Sequence, residues 1–530
     1  MPSAVSIASR YSFTIKVLAA AALIAAADLL FYFHGVGATL GAFASLWTGA
    51  LTLAAARVRR SPALFATVLA TLYALVLIEV PSLLGWTLFW TALSSAALLT
   101  RRRFDNAGDW TLRLAGHVLL GAARPVADLI RVIRRLRGRR GARLGSMLAT
   151  LALPVIGGAL FITLFAGANP VIGNAFAAIR LPYLSDLLPH LLFWTVIAHA
   201  VWPSLRPAPI VTRIAPLPLE IPTIRGVPLG SIALSLLVFN AIFLVQNLLD
   251  ILFLWSGAPL PGSITLADYA HRGAYLLIVT ALLAGLFVLL FLHPGSEAAR
   301  RPAIRRLVVL WIAQNLLLVL SSILRTWDYV EAYSLTVLRI SALAWMVLVG
   351  AGLFLICWRL IAGRSARWLL NANALAAALV LSAASIVDLG ATAAWWNVRH
   401  SDRVGQGGNA IDLCYLRTLG SSALLPVIDL EKRAQGPVLR DSIAAIRADL
   451  FRDLAERQAD WHRWSWRGAR RLAAARAALG ARPPVPKPAP NGRDCDGSRH
   501  VPPAPDILPP ENLPAGNAPE RTPLTNETEQ

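Results

Sequence analysis

The chain has 530 residues, of which 56% are hydrophobic and only 15% charged, and its mean hydropathy is +0.58. Soluble domains carry about 25% charged residues, so these values exclude a water-soluble globule and point to repeated membrane spans. Three cysteines exclude a disulfide scaffold. The net charge of +21 does not read as a nucleic-acid surface, because residues 1–396 hold 31 Lys and Arg against 13 Asp and Glu while the remainder holds 19 against 16. The excess flanks apolar runs, the positive-inside pattern of a membrane domain.

Taken in chain order, eleven runs reach the length of a spanning helix. They are Val17–Phe33, Gly37–Ala56, Ala63–Val80, Ser82–Thr100, Ser146–Gly167, Leu187–Trp202, Leu229–Trp255, Ala274–Leu292, Leu307–Trp327, Leu335–Ile361 and Leu370–Trp395. The first could be a signal peptide ending at Ala25-Ala26-Ala27; the reading adopted is an uncleaved helix. Alternate inter-span segments carry 27 Lys and Arg on one side against 4 on the other. The N-terminus is therefore expected in the cytoplasm and, after eleven crossings, the C-terminal tail outside it. The fold class expected is all-α: a polytopic membrane domain over residues 1–396 with an extracytoplasmic helical tail.

Residues 101–145 form the largest basic loop. Val126, Leu129, Ile130, Ile133 and Leu136 follow helical spacing, with Arg131, Arg134, Arg135 and Arg137 on the other faces. A basic amphipathic helix over 126–137 is expected to lie on the bilayer and prefer anionic lipid, or to dock a cytoplasmic partner. Residues 203–228 contain 7 prolines and read as an extended cytoplasmic strap. No internal repeat is visible across it, so an inverted-repeat transporter is not supported.

The tail, 397–481, carries Leu439, Ile443, Ile446, Leu450 and Leu454 at helical spacing with Asp, Glu and Arg between them. Trp461, Trp464 and Trp466 follow among arginines, suiting a membrane interface or packing on the membrane domain. From 482 to 530 there are 13 prolines, a composition expected to be disordered. Cys414 and Cys495 are the only cysteines outside the spans, and an oxidising compartment would favour their pairing as a disulfide.

Several runs are familiar together: Phe243–Asp250 (FLVQNLLD), Leu266–Tyr275 (LADYAHRGAY), Trp311–Leu324 (WIAQNLLLVLSSIL), Tyr329–Arg339 (YVEAYSLTVLR), Trp396–Ser401 (WNVRHS) and Leu413–Leu419 (LCYLRTL). Their order resembles the bacterial multi-pass membrane family known as domain of unknown function 4173, with the related domain of unknown function 4153. Ser334 stands where the pattern has Gly. The resemblance implies architecture and localisation, and it carries no activity.

No P-loop, His-Glu-x-x-His, metal-spaced cysteine pair or Gly-x-Ser-x-Gly occurs. No catalytic residue, cofactor or metal is expected, and Cys357 reads as an inert small hydrophobe. Charges within apolar spans need a reason. Asp28 and Glu79 lie near span ends, within reach of water. Asp250, with Asn247 on the same helix, is the deeper one. The charge count places Asp268, His271, Arg272, Arg325, Asp328, Glu331 and the near end of the span with Arg339 on the same outer face, and Asp388 in the outer half of the last span. Two readings stand: a polar network holding tilted helices together, or a ligand or proton site open to the outside. Arg339 is expected to pair with Asp328, Glu331 or Asp250, since a guanidinium cannot shed its charge. The overall expectation is a non-enzymatic inner-membrane protein whose partners are the bilayer and, through the tail, an envelope protein. The alternative is a transporter of a small solute or lipid using Asp250, Arg339 and Asp388.

Overall fold

Long uninterrupted runs of Leu, Ala, Val and Phe leave the backbone no water to bond, so they satisfy it internally as helix. The computed structural model describes residues 4–55, 61–134, 184–213, 227–255, 297–401, 411–480 and 484–500, with short stretches between 150 and 169 and between 279 and 291. The described residues contain helices and no strand. We name α1 (Ala4–Phe31), α2 (Thr39–Ala54), α3 (Ser61–Glu79), α4 (Leu83–Leu99), α5 (Ala107–Ala122), α6 (Leu184–Leu205), α7 (Leu229–Asp250), α8 (Pro302–Tyr333), α9 (Val337–Ala362), α10 (Ala366–Ile386), α11 (Leu389–Arg399), α12 (Leu413–Thr418), α13 (Leu424–Arg433), α14 (Pro437–Ala459) and α15 (Trp466–Leu479).

Seven of these are long and apolar enough to cross a membrane, namely α1, α3, α6, α7, α8, α9 and α10, while α2 and α4 are shorter apolar helices. The expected spans 146–167 and 274–292 fall mostly outside the described residues. One expected span is broken: the run 370–395 stops as α10 at Ile386, and Asp388 starts α11 by accepting a bond from the Ala391 amide at 2.9 Å. An Asp side chain bonds its own downstream backbone well, and that favours a new helix start over continuation. Asp388 is therefore at a helix junction, not inside a span.

α1–α4 and α6 share one core around Phe43, Trp47, Leu77, Phe89 and Leu93. Gly41 is needed there: a Cβ at this position would lie 2.4 Å from the Ile78 amide of α3. α7, α8 and α9 build a second core around Leu236, Val308, Trp311, Ile312 and Leu353. α10 ties the halves together, its Ser382 hydroxyl meeting Tyr73 of α3 at 2.6 Å and its Asn371 accepting from the Ala107 amide at 2.7 Å.

At one end of the bundle the loop after α4 folds back on the spans. Asp105 takes both guanidinium nitrogens of the buried Arg113, which hold its carboxyl down to about 2. The following helical segment, 124–134, is anchored by the buried Asp128, which gathers Arg124, Arg131, Arg206 and the Trp202 indole. Val126, Leu129, Ile130 and Ile133 stay exposed; Leu136, Arg135 and Arg137 lie outside the described residues. In the expected strap, residues 203–205 finish α6 and Pro209–Thr212 makes one helical turn, while 214–226 are outside the described residues.

The tail has its own core. Ile443, Ile446, Leu450 and Leu454 of α14 pack on Leu424, Val427 and Ile428 of α13 and on Leu472 and Ala475 of α15, whereas Leu439 is exposed. Residues 484–500 differ from the expected disorder. Asp441 accepts from the Lys487 amide at 2.7 Å and from Arg493 at 3.0 Å, and Cys495 is disulfide-bonded to Cys414 of α12 with Cα atoms 4.9 Å apart. Proline content disfavours helix, but it does not prevent a chain from being held by side-chain cages and a covalent link. Residues 501–530 lie outside the description.

Candidate functional site

The first candidate is the polar seam between α7 and α8. Intramembrane amides must find partners, and side chains seven residues apart return to the same helix face. Asn240 donates to Leu236 O at 2.7 Å and Leu307 O at 3.1 Å, and accepts from Gln314 at 2.8 Å. Two turns on, Asn247 donates to Gln314 O at 3.2 Å. Then Asp250, completely buried, ion-pairs with Arg325 and accepts from Gln246 at 3.0 Å. Contacts advance together along both helices, so α7 and α8 run parallel. α7 then widens into one π turn, Ile251–Trp255, and the Trp255 indole donates to Ser321 at 3.3 Å.

The remaining sequence-named groups do not join this seam. Arg339 donates to the carbonyls of Tyr333 and Ser334, and its guanidinium lies 4.4 Å from the Tyr329 ring centre. The expected acidic partner is replaced by backbone oxygen: three residues into α9, Arg339 curls over the link from α8, whose carbonyls have no helical donor. Glu331 is exposed and accepts from the Trp327 indole at 3.0 Å; Asp328 is exposed. Asp268, His271 and Arg272 lie outside the described residues.

The second candidate is the junction of the tail with the span ends, which gathers charges that the sequence reading assigned to separate roles. α15 carries Arg467, Arg470, Arg471 and Arg476 and no acid of its own. Arg467 and Arg470 both reach Glu79 at the end of α3, the former at 3.3 Å. Arg471 meets Asp388 at 2.5 Å, and Ser422 donates to the same carboxylate at 3.0 Å. Burial pushes the Asp388 carboxyl up. The Ala391 amide, Arg471 and Ser422 outweigh that and hold it below the ordinary carboxylate value. Hydropathy shows Glu79 only as a span end within reach of water; the signal that it has a role is an arginine-rich helix with no acid within it.

Backbone contacts complete the dock. Ala38 N donates to Trp464 O at 2.6 Å, Thr39 donates to His462 O at 3.2 Å, and the His34 and His462 rings stack at 3.6 Å. Gly37 permits this approach: a Cβ there would lie 2.4 Å from Trp464 O. Farther along, Asn397 of α11 exchanges two bonds with the Leu335 backbone at 2.7 and 2.9 Å, and Tyr415 of α12 accepts from the Val337 amide at 2.8 Å. The tail therefore grips the ends of both halves of the bundle.

A family model described as Domain of unknown function (DUF4153) matches residues 13–430, spanning both helical bundles and the first part of the tail. The chain belongs to this family. No curated protein and no solved structure matches it. Among the described residues no group of His, Cys, Asp and Glu is arranged to hold a metal.

Proposed function

We propose that this DUF4153 protein is a non-enzymatic platform in a bacterial inner membrane, a signalling or envelope-assembly partner that presents its outer face and a locked helical cap to another envelope protein. The observation that carries this reading is the tail junction: α11–α15 close over the ends of α1, α3, α9 and α10 through Glu79, Asp388 and Asn397. A cap held at so many points offers a rigid outer surface. The Cys414–Cys495 bond supports an oxidising, extracytoplasmic location for it, because such bonds persist there and not in a reducing cytoplasm. The exposed apolar stripe of 126–133 beside Arg131 and Arg134 supports anchoring of the opposite end on anionic lipid.

Eleven crossings remain the topology that fits best. α4 and α6 both run away from the cap, and α7 and α8 both run toward it. Each pair needs an odd number of crossings between its members, and the apolar runs 146–167 and 274–292 lie in those intervals.

Transport finds less support. Asp250 is engaged by Arg325, Arg339 by carbonyls, and Asp388 by a helix start and by Arg471. The deciding experiment is complementation of a strain lacking the protein, at matched membrane abundance. A platform requires that a chain ending at Ser401 fails while Asp250→Asn succeeds. The reverse pattern rejects the platform in favour of a transporter.

A further inference from the structure

Between the cap and the span ends lies a partly open cleft of about 610 Å³. Its two walls have opposite chemistry. The membrane wall is largely apolar, with Val80, Pro81 and Leu84 from the α3–α4 link and the start of α4, and Val387 and Leu389 from the α10–α11 junction, interrupted by Ser82, Ser385 and Asp388. The cap wall is cationic, with Arg457, Arg463, Arg467 and Arg471 all lining it. We infer that this cleft is a binding site for the phosphate-bearing headgroup of an anionic lipid, with the lipid's glycerol and upper chain against the apolar wall.

The arginines divide into two pairs. Arg467 and Arg471 are held by Glu79 and Asp388, which fixes their guanidinium planes. A guanidinium has five N–H donors, so a carboxylate partner leaves others to offer. Arg457 and Arg463 are exposed and form no ion pair among the described residues, although Asp460 acts on Arg463 at longer range. The four guanidinium groups thus face three carboxylates, Glu79, Asp388 and the more distant Asp460, and the surplus is positive. Arginine recognises phosphate oxygens in paired N–H bonds, with more geometric definition than lysine.

Two further features agree with an anion entering from the leaflet. Ser465 and Gly468, at the start of α15, also line the cleft, so the positive end of a fourteen-residue helix faces it. Trp461 and Trp466 flank this turn and are exposed at 56% and 52%, as indoles are at the headgroup level of a bilayer. Arg463 reaches its place by laying its stem on the α1–α2 link, where a Cβ on Gly35 would lie 2.5 Å from Arg463 Cγ. The shared chemistry is a phosphate oxyanion, available from a lipid headgroup or as free phosphate. The apolar wall at the span ends favours the lipid.

The test uses the full-length protein in phosphatidylcholine nanodiscs doped with phosphatidylglycerol that carries a photoreactive group at the glycerol end of one acyl chain. Adducts are expected on residues 80–84 and 387–389, and they should fall about tenfold, the loss of roughly 1.4 kcal/mol of binding, in the double variant Arg457→Ala, Arg463→Ala. Both side chains are exposed, so folding should survive; retention of the Cys414–Cys495 bond, with only Cys357 open to thiol label, checks this. As a second measurement on the unaltered protein, short-chain phosphatidic acid should compete with the adduct more strongly than inorganic phosphate. Adducts that are absent from the cleft, or undiminished in the double variant, overturn the proposal. Equal competition by inorganic phosphate overturns the lipid source and assigns the arginines to a soluble anion.

Discussion

Ser334 joins α8 to α9 with φ +72° and ψ 161°, a conformation that only glycine adopts without strain. This is the position where the sequence pattern has Gly. Ser334→Gly is expected to stabilise the protein by about 1 kcal/mol, strain relief being partly offset by a freer unfolded chain. Thermal melting in detergent measures it, and a lower melting point would contradict the reading. The seam offers a second measurement. Arg325→Met should cost about 3–5 kcal/mol because it strands a buried carboxylate, while Asp250→Leu with Arg325→Met should recover most of that loss. Simple addition of the two single-variant costs would rule out a direct pair. Legibility at this scale was uneven for a physical reason. A charge deep in an apolar run, such as Asp250, announces that it needs a partner. Arg339 lies at a helix start, where carbonyl oxygens serve as well as a carboxylate, and hydropathy cannot distinguish the two.

Apolar runs become helices wherever hydropathy is high, and α1, α3, α6, α7, α8 and α9 follow the runs read from the sequence within a turn or two at most ends. The run 370–395 broke that correspondence because one side chain, Asp388, serves as a helix cap, a local bond to which average hydropathy is blind. The junction with α15 was hidden for another reason: Glu79 and Arg467 are 388 residues apart, and no periodic pattern connects them. This junction should depend on pH in a definite sense. The Asp388 carboxyl is lowered when folded, so its contribution is present above the ordinary carboxylate pKa of about 3.9 and is lost as the pH falls through the folded value. Protection of 466–479 against hydrogen exchange, taken relative to the intrinsic rate at each pH, should accordingly hold at neutral pH and be lost only in acid. Asp388→Asn can still cap α11 but loses the ion pair, so it should flatten that acid response. Asp388→Ala loses both and should cost about 1 kcal/mol more. An acid response unchanged in Asp388→Asn would remove this carboxylate from the junction.

At the scale of the whole molecule, the two ends of the bundle differ in kind. One end is basic and built from the α4–α5 loop, where Asp105 pairs with Arg113 and the single carboxylate of Asp128 is shared by Arg124, Arg131 and Arg206, leaving an excess of positive charge. The other carries the disulfide-bonded cap. Positive charge at one end and a cystine at the other are two independent grounds for the orientation proposed above, the first from insertion energetics and the second from redox compartment. The helix directions bear on the crossing count instead: α7 and α8 are parallel neighbours joined at Asn247–Gln314 and Asp250–Arg325, which is the arrangement the proposed eleven crossings require. A reporter active only in the cytoplasm should therefore be active when fused after Arg140 and silent after Asp402. Two further fusions sharpen the result. One after Gly173, between the run 146–167 and α6, should be silent, and one after Gly295, between the run 274–292 and α8, should be active. Nine crossings, with both runs left on the surface, would put Gly173 on the same side as Arg140 and Gly295 on the same side as Trp255, and the parallel pairing of α7 with α8 would then have to be wrong.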